Sequence, residues 1–256
     1  MTDGQHPDKY SADPRVSAGI IKKAQSFPEV LAGIASLDGL RESPSHTSAT
    51  VDVGWKDGPQ YENGGPVDWP KQARSVLVLA LRHPRKKPGL DWWDGKGTAG
   101  NRVLISVSKH LKQWFGEKLG QPAHPLPYHV EKGGVFLKDA AVLAGLGIIG
   151  KNNLLVTPEF GPRVRLRAMF LEWRLVPTGP IDWFNPCEEC SAPCQQACPQ
   201  KAYASGVYAR GSCMVQMEHD RTNPVPGDSD GANQPMVRYC RQCELACPVG
   251  AWPQSG

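Results

Sequence analysis

Eight cysteines carry the most evident chemistry of this 256-residue chain, and all of them lie from residue 187 onward. They form two short runs separated by one isolated residue: Cys187, Cys190, Cys194 and Cys198, then Cys213, then Cys240, Cys243 and Cys247. Thiolates this close together in sequence are typical ligands of iron–sulfur clusters. The spacing therefore predicts a centre that transfers electrons one at a time.

Both runs end in Cys-Pro, at Pro199 and Pro248, which is typical of bacterial ferredoxins, where the last cysteine of a run ligates the other cluster. This crossing predicts two 4Fe–4S clusters with no ligand left over. Cluster one takes Cys187, Cys190, Cys194 and Cys247. Cluster two takes Cys240, Cys243, Cys198 and, by elimination, Cys213. The gap before Cys194 is one residue longer than in the bacterial pattern, and Pro193 within it favours a local bulge.

Disulfides and zinc are the alternatives to clusters for these cysteines. An even number of cysteines permits disulfides, but a disulfide framework is expected in small secreted domains, and disulfides stabilise most when they close long loops. Two four-thiolate zinc sites would use the same ligands, but zinc sites usually pair two CxxC knuckles. The longer runs ending in Cys-Pro favour two iron–sulfur clusters over both alternatives.

Composition and charge restrict the remaining possibilities. Hydrophobic residues make up 40% of the chain, enough for a packed core, and no apolar run approaches the roughly 18 residues of a membrane span. Residues 1–10 show neither a twin-arginine pair nor an apolar signal segment, so a cytoplasmic location is expected. The net charge of +4 is mild. Basic residues cluster at 82–87 and again at Arg163, Arg165 and Arg167, where we expect a solvated surface, with an anion site as the alternative.

The apolar periodicity predicts an α/β or α+β sandwich over residues 1–180, followed by a cluster module at 181–256. Trp92 and Trp93 lie in a loop and are expected to pack at a cap or interface, with the wall of a flat cofactor as the alternative. The predicted elements are two short helices within 14–40 broken at Pro28, an irregular stretch 41–72, a buried strand 75–81, a helix 102–119, a strand 128–131, a helix 135–144 and a strand 163–173.

A glycine-punctuated segment, Gly145-x-Gly147-x-x-Gly150, imitates the dinucleotide-binding fingerprint. That fingerprint requires a strand before it and a helix after it, whereas here a predicted helix precedes and an extended run follows. Nicotinamide binding is therefore not expected. Glycines this dense either form a tight structural turn or let the backbone approach a bulky ligand closely.

Residues 130–166, with the two cysteine runs behind them, resemble the epoxyqueuosine reductase and reductive dehalogenase superfamily. The matching features are the sequence AGLGIIGKNNLL at 144–155, a Pro-x-x-Gly turn at 158–161 and a basic strand at 163–166. The run at 73–81 is similar to the first core strand of that family. The resemblance covers about residues 70–250.

This resemblance implies a nitroreductase-like, cobalamin-binding α+β sandwich with a C-terminal bacterial ferredoxin-like module. It implies a cobalamin held base-off between the two parts, with one cubane near the corrin. Glu131 occupies the position of the family's aspartate proton donor, and Lys151 that of a cation near the substrate; a solvated glutamate and simple charge pairing are the alternatives. The resemblance also implies contacts to the corrinoid from Gly145, Gly147, Gly150, Lys151, Asn152 and Asn153.

The chain departs from the family in several places. Epoxyqueuosine reductases continue past the clusters with a helical repeat region that helps to hold tRNA, whereas this chain stops at Gly256, so nucleic acid is not expected as a partner. The export signal of respiratory dehalogenases is not seen. The sequence LEWRLVP at 171–177 replaces the usual Thr-Asp-Leu-Pro-Leu element, and the proton donor changes from aspartate to glutamate.

The predicted function is that of a cytoplasmic iron–sulfur reductase whose two 4Fe–4S clusters reduce a bound corrinoid that acts on a small molecule. Its electron donor is expected to be a low-potential carrier such as a ferredoxin or flavodoxin. The alternative hypothesis is an electron-transfer or activating partner, which reduces a corrinoid or tetrapyrrole held by another protein.

Overall fold

A computed structural model describes residues 13–47, 50–52, 60–62, 67, 69–227 and 235–250. Within the predicted irregular stretch 41–72, the described residues include a short helix, Pro44–Thr47, and two short strands, Thr50–Asp52 and Gln60–Glu62, so this part is less irregular than expected. The other residues of the stretch lie partly outside the described ranges. Across the described ranges, no helix has both the length and the apolar character that crossing a membrane would require.

The centre of the fold is a four-stranded antiparallel sheet. Its strands are β1 (Val30–Ser36), β4 (Ser75–Arg82), β5 (Ala123–Pro125) and β8 (Val164–Leu171), in the order β1-β4-β8-β5. Strand β4 lies between β1 and β8, pairing Val78 with Gly33 on one side and with Ala168 on the other. The mixed α/β fold expected from the sequence is confirmed, and its sheet is antiparallel throughout.

Hydrophobic cores lie on both faces of the sheet. Alternate residues of β4 point to opposite faces because side chains alternate along a strand: Leu77 and Leu79 enter one core, and Val76 and Val78 enter the other. The first core is covered by α1 (Pro14–Gln25) and α4 (Ala99–Trp114), and the second by α2 (Leu37–Arg41) and α5 (Leu137–Leu143). The continuous apolar sequence of β4 follows from this double burial.

Side-chain caps fix where the longer helices begin. The Asp13 carboxylate accepts a hydrogen bond from the Arg15 backbone N–H at 2.8 Å, at the start of α1. The Thr98 hydroxyl likewise accepts from the Asn101 N–H at 3.1 Å, at the start of α4. Such caps satisfy N–H groups that have no partner within the helix. A π-helical turn, Phe115–Leu119, extends α4 to Gly120, whose φ of 61° ends it.

Two predicted elements are wrong. The second of the short helices expected within 14–40 is largely strand β1, because Val30, Leu31 and Ile34 pair with β4 along the edge of the sheet. The strand expected at 128–131 is a 3-10 turn, Val130–Lys132, and the edge strand β5 lies before it at Ala123–Pro125.

The remaining short elements flank the sheet. Strands β2 (Thr50–Asp52) and β3 (Gln60–Glu62) pair with each other, as do β6 (Ile148–Ile149) and β7 (Leu155–Val156), and α3 (Pro44–Thr47) follows α2. Among the described residues after β8, the regular elements are the helices α6 (Pro193–Gln196), α7 (Arg210–Thr222) and α8 (Gln242–Leu245). All eight cysteines lie in or beside this helical part.

Candidate iron–sulfur site

Four cysteines from both ends of the helical part line one cavity. These are Cys187, Cys190, Cys194 and Cys247, and Lys151 and Asn152 also line this cavity. Burial, followed by the neighbouring thiols, with Cys247 first among them, raises the pKa of Cys194. Cys194 and Cys247 are only 6% and 7% exposed, whereas Cys187 and Cys190 are half-buried.

The other four cysteines, Cys198, Cys213, Cys240 and Cys243, form a second set. Burial raises the pKa of Cys243 to about 11, and the nearby Cys240 and Cys213 thiols add to this shift. Burial, with smaller contributions from Asp220, Cys213 and Cys198, also raises the pKa of Cys240. The four thiols of this set are half-buried. The structure thus brings together the same two crossed sets that the sequence pairs.

The eight cysteines are available as metal ligands, because all of them are free thiols. Thiolates are donors to zinc as well as to iron–sulfur clusters. Burial raises the pKa of Cys194, Cys240, Cys243 and Cys247. Metal binding must therefore displace the protons of these thiols.

The glycine-punctuated segment lies between the two cysteine sets. A Cβ added at Gly150 would lie 3.3 Å from the Sγ of Cys187, so only glycine brings the backbone this close to the first set. The Lys151 ammonium donates to the Cys190 carbonyl at 2.9 Å. The carbonyl of Asn152 accepts from the Tyr203 hydroxyl at 2.8 Å. The segment is therefore attached to both cysteine-bearing loops.

Gly145 and Gly147 have a packing role within the protein itself. A Cβ at Gly145 would lie 2.6 Å from the Thr178 carbonyl oxygen, and one at Gly147 would lie 2.1 Å from that of Val156. The space beside both glycines is therefore filled by the chain's own backbone. The expected contacts from these residues to a corrinoid stay a prediction.

The other predicted residues occupy different surroundings. Glu131 lies in the 3-10 turn Val130–Lys132, before α5. Asn153 has a φ of 55°, and its carbonyl accepts a hydrogen bond from the Lys138 ammonium at 2.8 Å. Burial lowers the pKa of Lys138. Sequence analysis did not select Lys138, which follows an ordinary helical pattern in α5.

A buried charge network joins the sheet to α8, and sequence analysis missed it. The Asp91 carboxylate lies 2.6 Å from the Arg165 guanidinium, accepts from Nδ1 of His83 at 2.7 Å and also contacts Arg241. Glu244 completes the network by pairing with Arg165 at 3.0 Å and with Arg241. Burial by itself raises the pKa of Asp91, but the hydrogen bond from His83 and the two arginines outweigh it and hold that pKa below its usual value.

The arginines of β8 are not the solvated surface that was expected. Arg163 and Arg167 are 5% and 8% exposed. Arg163 donates to the carbonyls of Glu244 and Cys247 at 3.3 and 3.1 Å, and also to that of Val249, so it holds the loop of the last cysteine. These three carbonyls therefore accept hydrogen bonds from both terminal nitrogens of the Arg163 guanidinium.

The Trp92–Trp93 loop also packs against the cysteine-bearing part. The backbone of Trp93 exchanges two hydrogen bonds with Val237, at 3.0 and 2.9 Å. The guanidinium of Arg238 stacks over the Trp92 ring, 3.9 Å from its centroid. Of the two expectations for these tryptophans, the structure thus shows interface packing.

Comparisons with known proteins were made by sequence and by structure. No protein-family model matches the chain. The epoxyqueuosine reductase of Synechocystis is 27% identical over 208 residues, covering 77% of this chain and 69% of that protein. The tetrachloroethene reductive dehalogenase of Sulfurospirillum multivorans is 34% identical over 115 residues, covering 42% of this chain and 22% of that protein. The predicted resemblance to this superfamily of reductases is confirmed.

A solved structure with the same fold corrects one expectation. An epoxyqueuosine reductase crystallised with an epoxyqueuosine-modified tRNA stem loop aligns over 92% of this chain and 65% of that protein, with a TM-score of 0.63 and 18% identity. This structure overturns the expectation that excluded nucleic acid as a partner, because a protein of this fold is seen with RNA. The chain spans only part of each of these relatives, from 22% to 69% of their length.

Proposed function

Starting from its resemblance to epoxyqueuosine reductases and reductive dehalogenases, we propose that this chain is a reductase that uses two 4Fe–4S clusters. The observation that carries the proposal is the crossed grouping of the eight thiols, since each set draws on both cysteine runs. Crossed ligation is the arrangement of two-cluster ferredoxins. The proposed division is an α/β part, 1–180, and a ferredoxin-like cluster module, 181–256, in the cytoplasm, where thiols stay reduced.

Cluster one would be held by Cys187, Cys190, Cys194 and Cys247, and cluster two by Cys198, Cys213, Cys240 and Cys243. The donors fit, because all eight are free thiols that the structure groups by fours. When bound, such clusters supply single electrons. Around cluster one, the chain itself supplies exclusion of water, through the burial of Cys194 and Cys247, and a fixed wall formed by Gly150 and Lys151.

The corrinoid and the substrate are the finer parts of the proposal. The resemblance supports a bound cobalamin, and it also supports a nitroreductase-like fold for the α/β part. The glycine segment alone does not form a cradle for it, because the chain's own backbone fills the space beside Gly145 and Gly147. The proposed substrate is a small molecule, and Glu131 is the proposed proton donor.

The proposal is tested by metal content. Full-length protein purified without oxygen and reconstituted with iron and sulfide should contain about eight irons per chain. After incubation with cobalamin and removal of the excess, cobalt close to one per chain would support the corrinoid. A colourless protein, or one with markedly fewer irons, contradicts the two clusters.

Serine variants test the crossing itself. Cys247→Ser should remove the same cluster as Cys190→Ser, although the two residues belong to different runs, and each variant should retain about four irons. Cys240→Ser is the matched control, since it should remove the other cluster. If Cys247→Ser and Cys240→Ser alter the same cluster spectrum, the two sets are not crossed.

The second candidate is a carrier that reduces a corrinoid or tetrapyrrole in another protein. One observation favours it: the protein's own backbone fills the space beside Gly145 and Gly147, which were expected to contact the cofactor. Full iron loading with no uptake of cobalamin would support this candidate over the first.

A further inference from the structure

An open cavity lies between the loop after β4 and the helical, cysteine-bearing part. Its volume is about 530 Å³. Cys240 of the second cysteine set forms part of its wall, and so do Ala197 and Pro199, which flank Cys198. The Asp220 carboxylate, which also lines the cavity, accepts a hydrogen bond from the Cys240 backbone N–H at 2.7 Å. The cavity therefore leads directly to the second set.

The rim of this cavity carries positive charge. Arg85 and Arg238 line it and are exposed, and the exposed Lys86 is adjacent to Arg85. The acidic residues of the wall have cationic or backbone partners within the protein. Asp91 is held by Arg165 and Arg241, and Asp220 receives the Cys240 N–H.

The rim is also preformed. Arg85 donates to the Leu245 carbonyl at 2.5 Å, and Arg238 stacks on Trp92. A rigid, basic and partly aromatic rim suits a brief protein encounter, because complementary charge raises the association rate more than it raises affinity. Electron-transfer complexes characteristically use small, weak interfaces of this kind.

We infer that this basic cavity is the docking site of an acidic one-electron carrier protein, which delivers electrons to the module through the Cys240 side. The reduced carrier would lose one electron, and the cluster that Cys198, Cys213, Cys240 and Cys243 would hold would accept it, with no bond made or broken. The inference rests on the proposed function, because it takes both clusters as present. Beyond the proposed function, it identifies where electrons enter the cluster module and which charge the donor protein carries.

The test measures cluster reduction, which needs neither corrinoid nor substrate. Iron-loaded protein is mixed in a stopped-flow instrument with a prereduced, acidic flavodoxin, and the appearance of the flavin semiquinone, whose absorption differs from that of the clusters, is followed. The rate constant should fall as salt is added, since exposed charges are screened beyond about 10 Å at 0.1 M ionic strength. Replacing Arg85 and Arg238 by glutamate should lower it by about tenfold or more at low salt.

Two matched variants separate charge from structure. Arg85→Lys with Arg238→Lys keeps the charge and loses the guanidinium contacts, so its rate should stay within about twofold of wild type. Lys109→Glu with Lys112→Glu makes the same charge change on exposed positions of α4, and should leave the rate unchanged. Dithionite should reduce the same number of clusters in every variant. If the arginine-to-glutamate variant loads no iron, Lys86→Glu carries the same test at the exposed neighbour of Arg85.

Several outcomes overturn the inference. An unchanged rate in the glutamate variant does so, and so does an equal loss in the lysine variant. If the glutamate variant loses binding of a short single-stranded RNA but keeps its rate, the rim binds nucleic acid instead. If light scattering shows that the glutamate substitutions change the oligomeric state, the rim joins two copies of this chain. Failure of wild-type protein to load iron would refute the proposed function itself. The dithionite measurement, which counts the reducible clusters, detects this failure separately from a change in rate.

Discussion

The charge network around Asp91 gives the sharpest test of how the cysteine-bearing part is attached to the sheet. We consider Asp91→Asn, which preserves the size of the side chain and removes its charge. In the wild type, Asp91 and Glu244 balance Arg165 and Arg241. In the variant, Glu244 alone faces two guanidinium groups, whose side chains are 31% and 11% exposed.

The expected loss follows from this burial. Removing one partner of a buried ion pair costs about 3–5 kcal/mol, since it leaves a charge without compensation. Arg165 is nearly one-third exposed, so solvent screens part of the effect, and we expect about 3 kcal/mol. The pKa of Asp91 is held below its usual value of 3.8, so its stabilisation is present above that pH and is lost as the pH falls through the lowered pKa. The difference between variant and wild type should therefore be constant from pH 8 to pH 5.

Asp38→Asn is the matched control. Asp38 also has two arginine partners, Arg41 at 3.7 Å and Arg174 at 3.8 Å, but its side chain is 65% exposed. Exposed pairs contribute about 0–1 kcal/mol, so this variant should resemble the wild type.

The measurement is urea unfolding of the iron-loaded protein without oxygen, followed by cluster absorption and by far-ultraviolet circular dichroism. In Asp91→Asn, the cluster absorption should disappear at lower urea than in wild type, while the signal of the sheet and helices changes less, because the network joins α8 to the sheet. If Asp91→Asn costs less than about 1 kcal/mol, or no more than Asp38→Asn, the network does not secure the module.

Three further predictions concern pH, packing and the proposed proton donor. Burial lowers the pKa of His46 to about 4, so between pH 6.5 and pH 4 the unfolded chain binds a proton that the folded chain does not. The free energy of unfolding should therefore fall by about 2 kcal/mol over this range. In urea titrations, His46→Asn should remove this contribution to the fall. Gly147→Ala, which meets the Val156 carbonyl at 2.1 Å, should destabilise by about 3 kcal/mol or more, whereas Gly19→Ala, with open space in α1, should stabilise by about 0.5–1 kcal/mol. Glu131→Gln should lower turnover by about 100-fold and leave iron content unchanged; retained turnover would exclude the proton-donor role.

The sheet's centre was predictable because local sequence and environment agree. The uninterrupted apolar run of β4 matches its burial on both faces, and the periodicity of α4 matches its single buried face. Strand β1 was not predictable in this way, because the spacing of Val30, Leu31 and Ile34 also fits one face of a helix. Its pairing with β4, which decides between the two, is a contact between distant segments.

The grouping of the thiols was predictable because the Cys-Pro ending of each run predicts sets that draw on both runs; ligation itself stays a prediction. The charge network was not predictable, because Asp91, Arg165 and Glu244 lie in three separate segments. Each of them, taken alone, has the pattern of an ordinary surface charge. The same limitation applies to the glycine segment. The high density of glycines in this segment suggested contact with a ligand, whereas the atoms nearest Gly145 and Gly147 belong to Thr178 and Val156.

The interleaved cysteine sets have a consequence for how the protein is made. Each set needs thiols from the second run, at Cys240, Cys243 or Cys247. During synthesis the first run emerges from the ribosome well before the second, so a nascent chain ending anywhere before Cys240 offers only partial binding sites. If the two sets bind clusters as proposed, delivery of iron and sulfide must therefore wait until the second cysteine run has been synthesised.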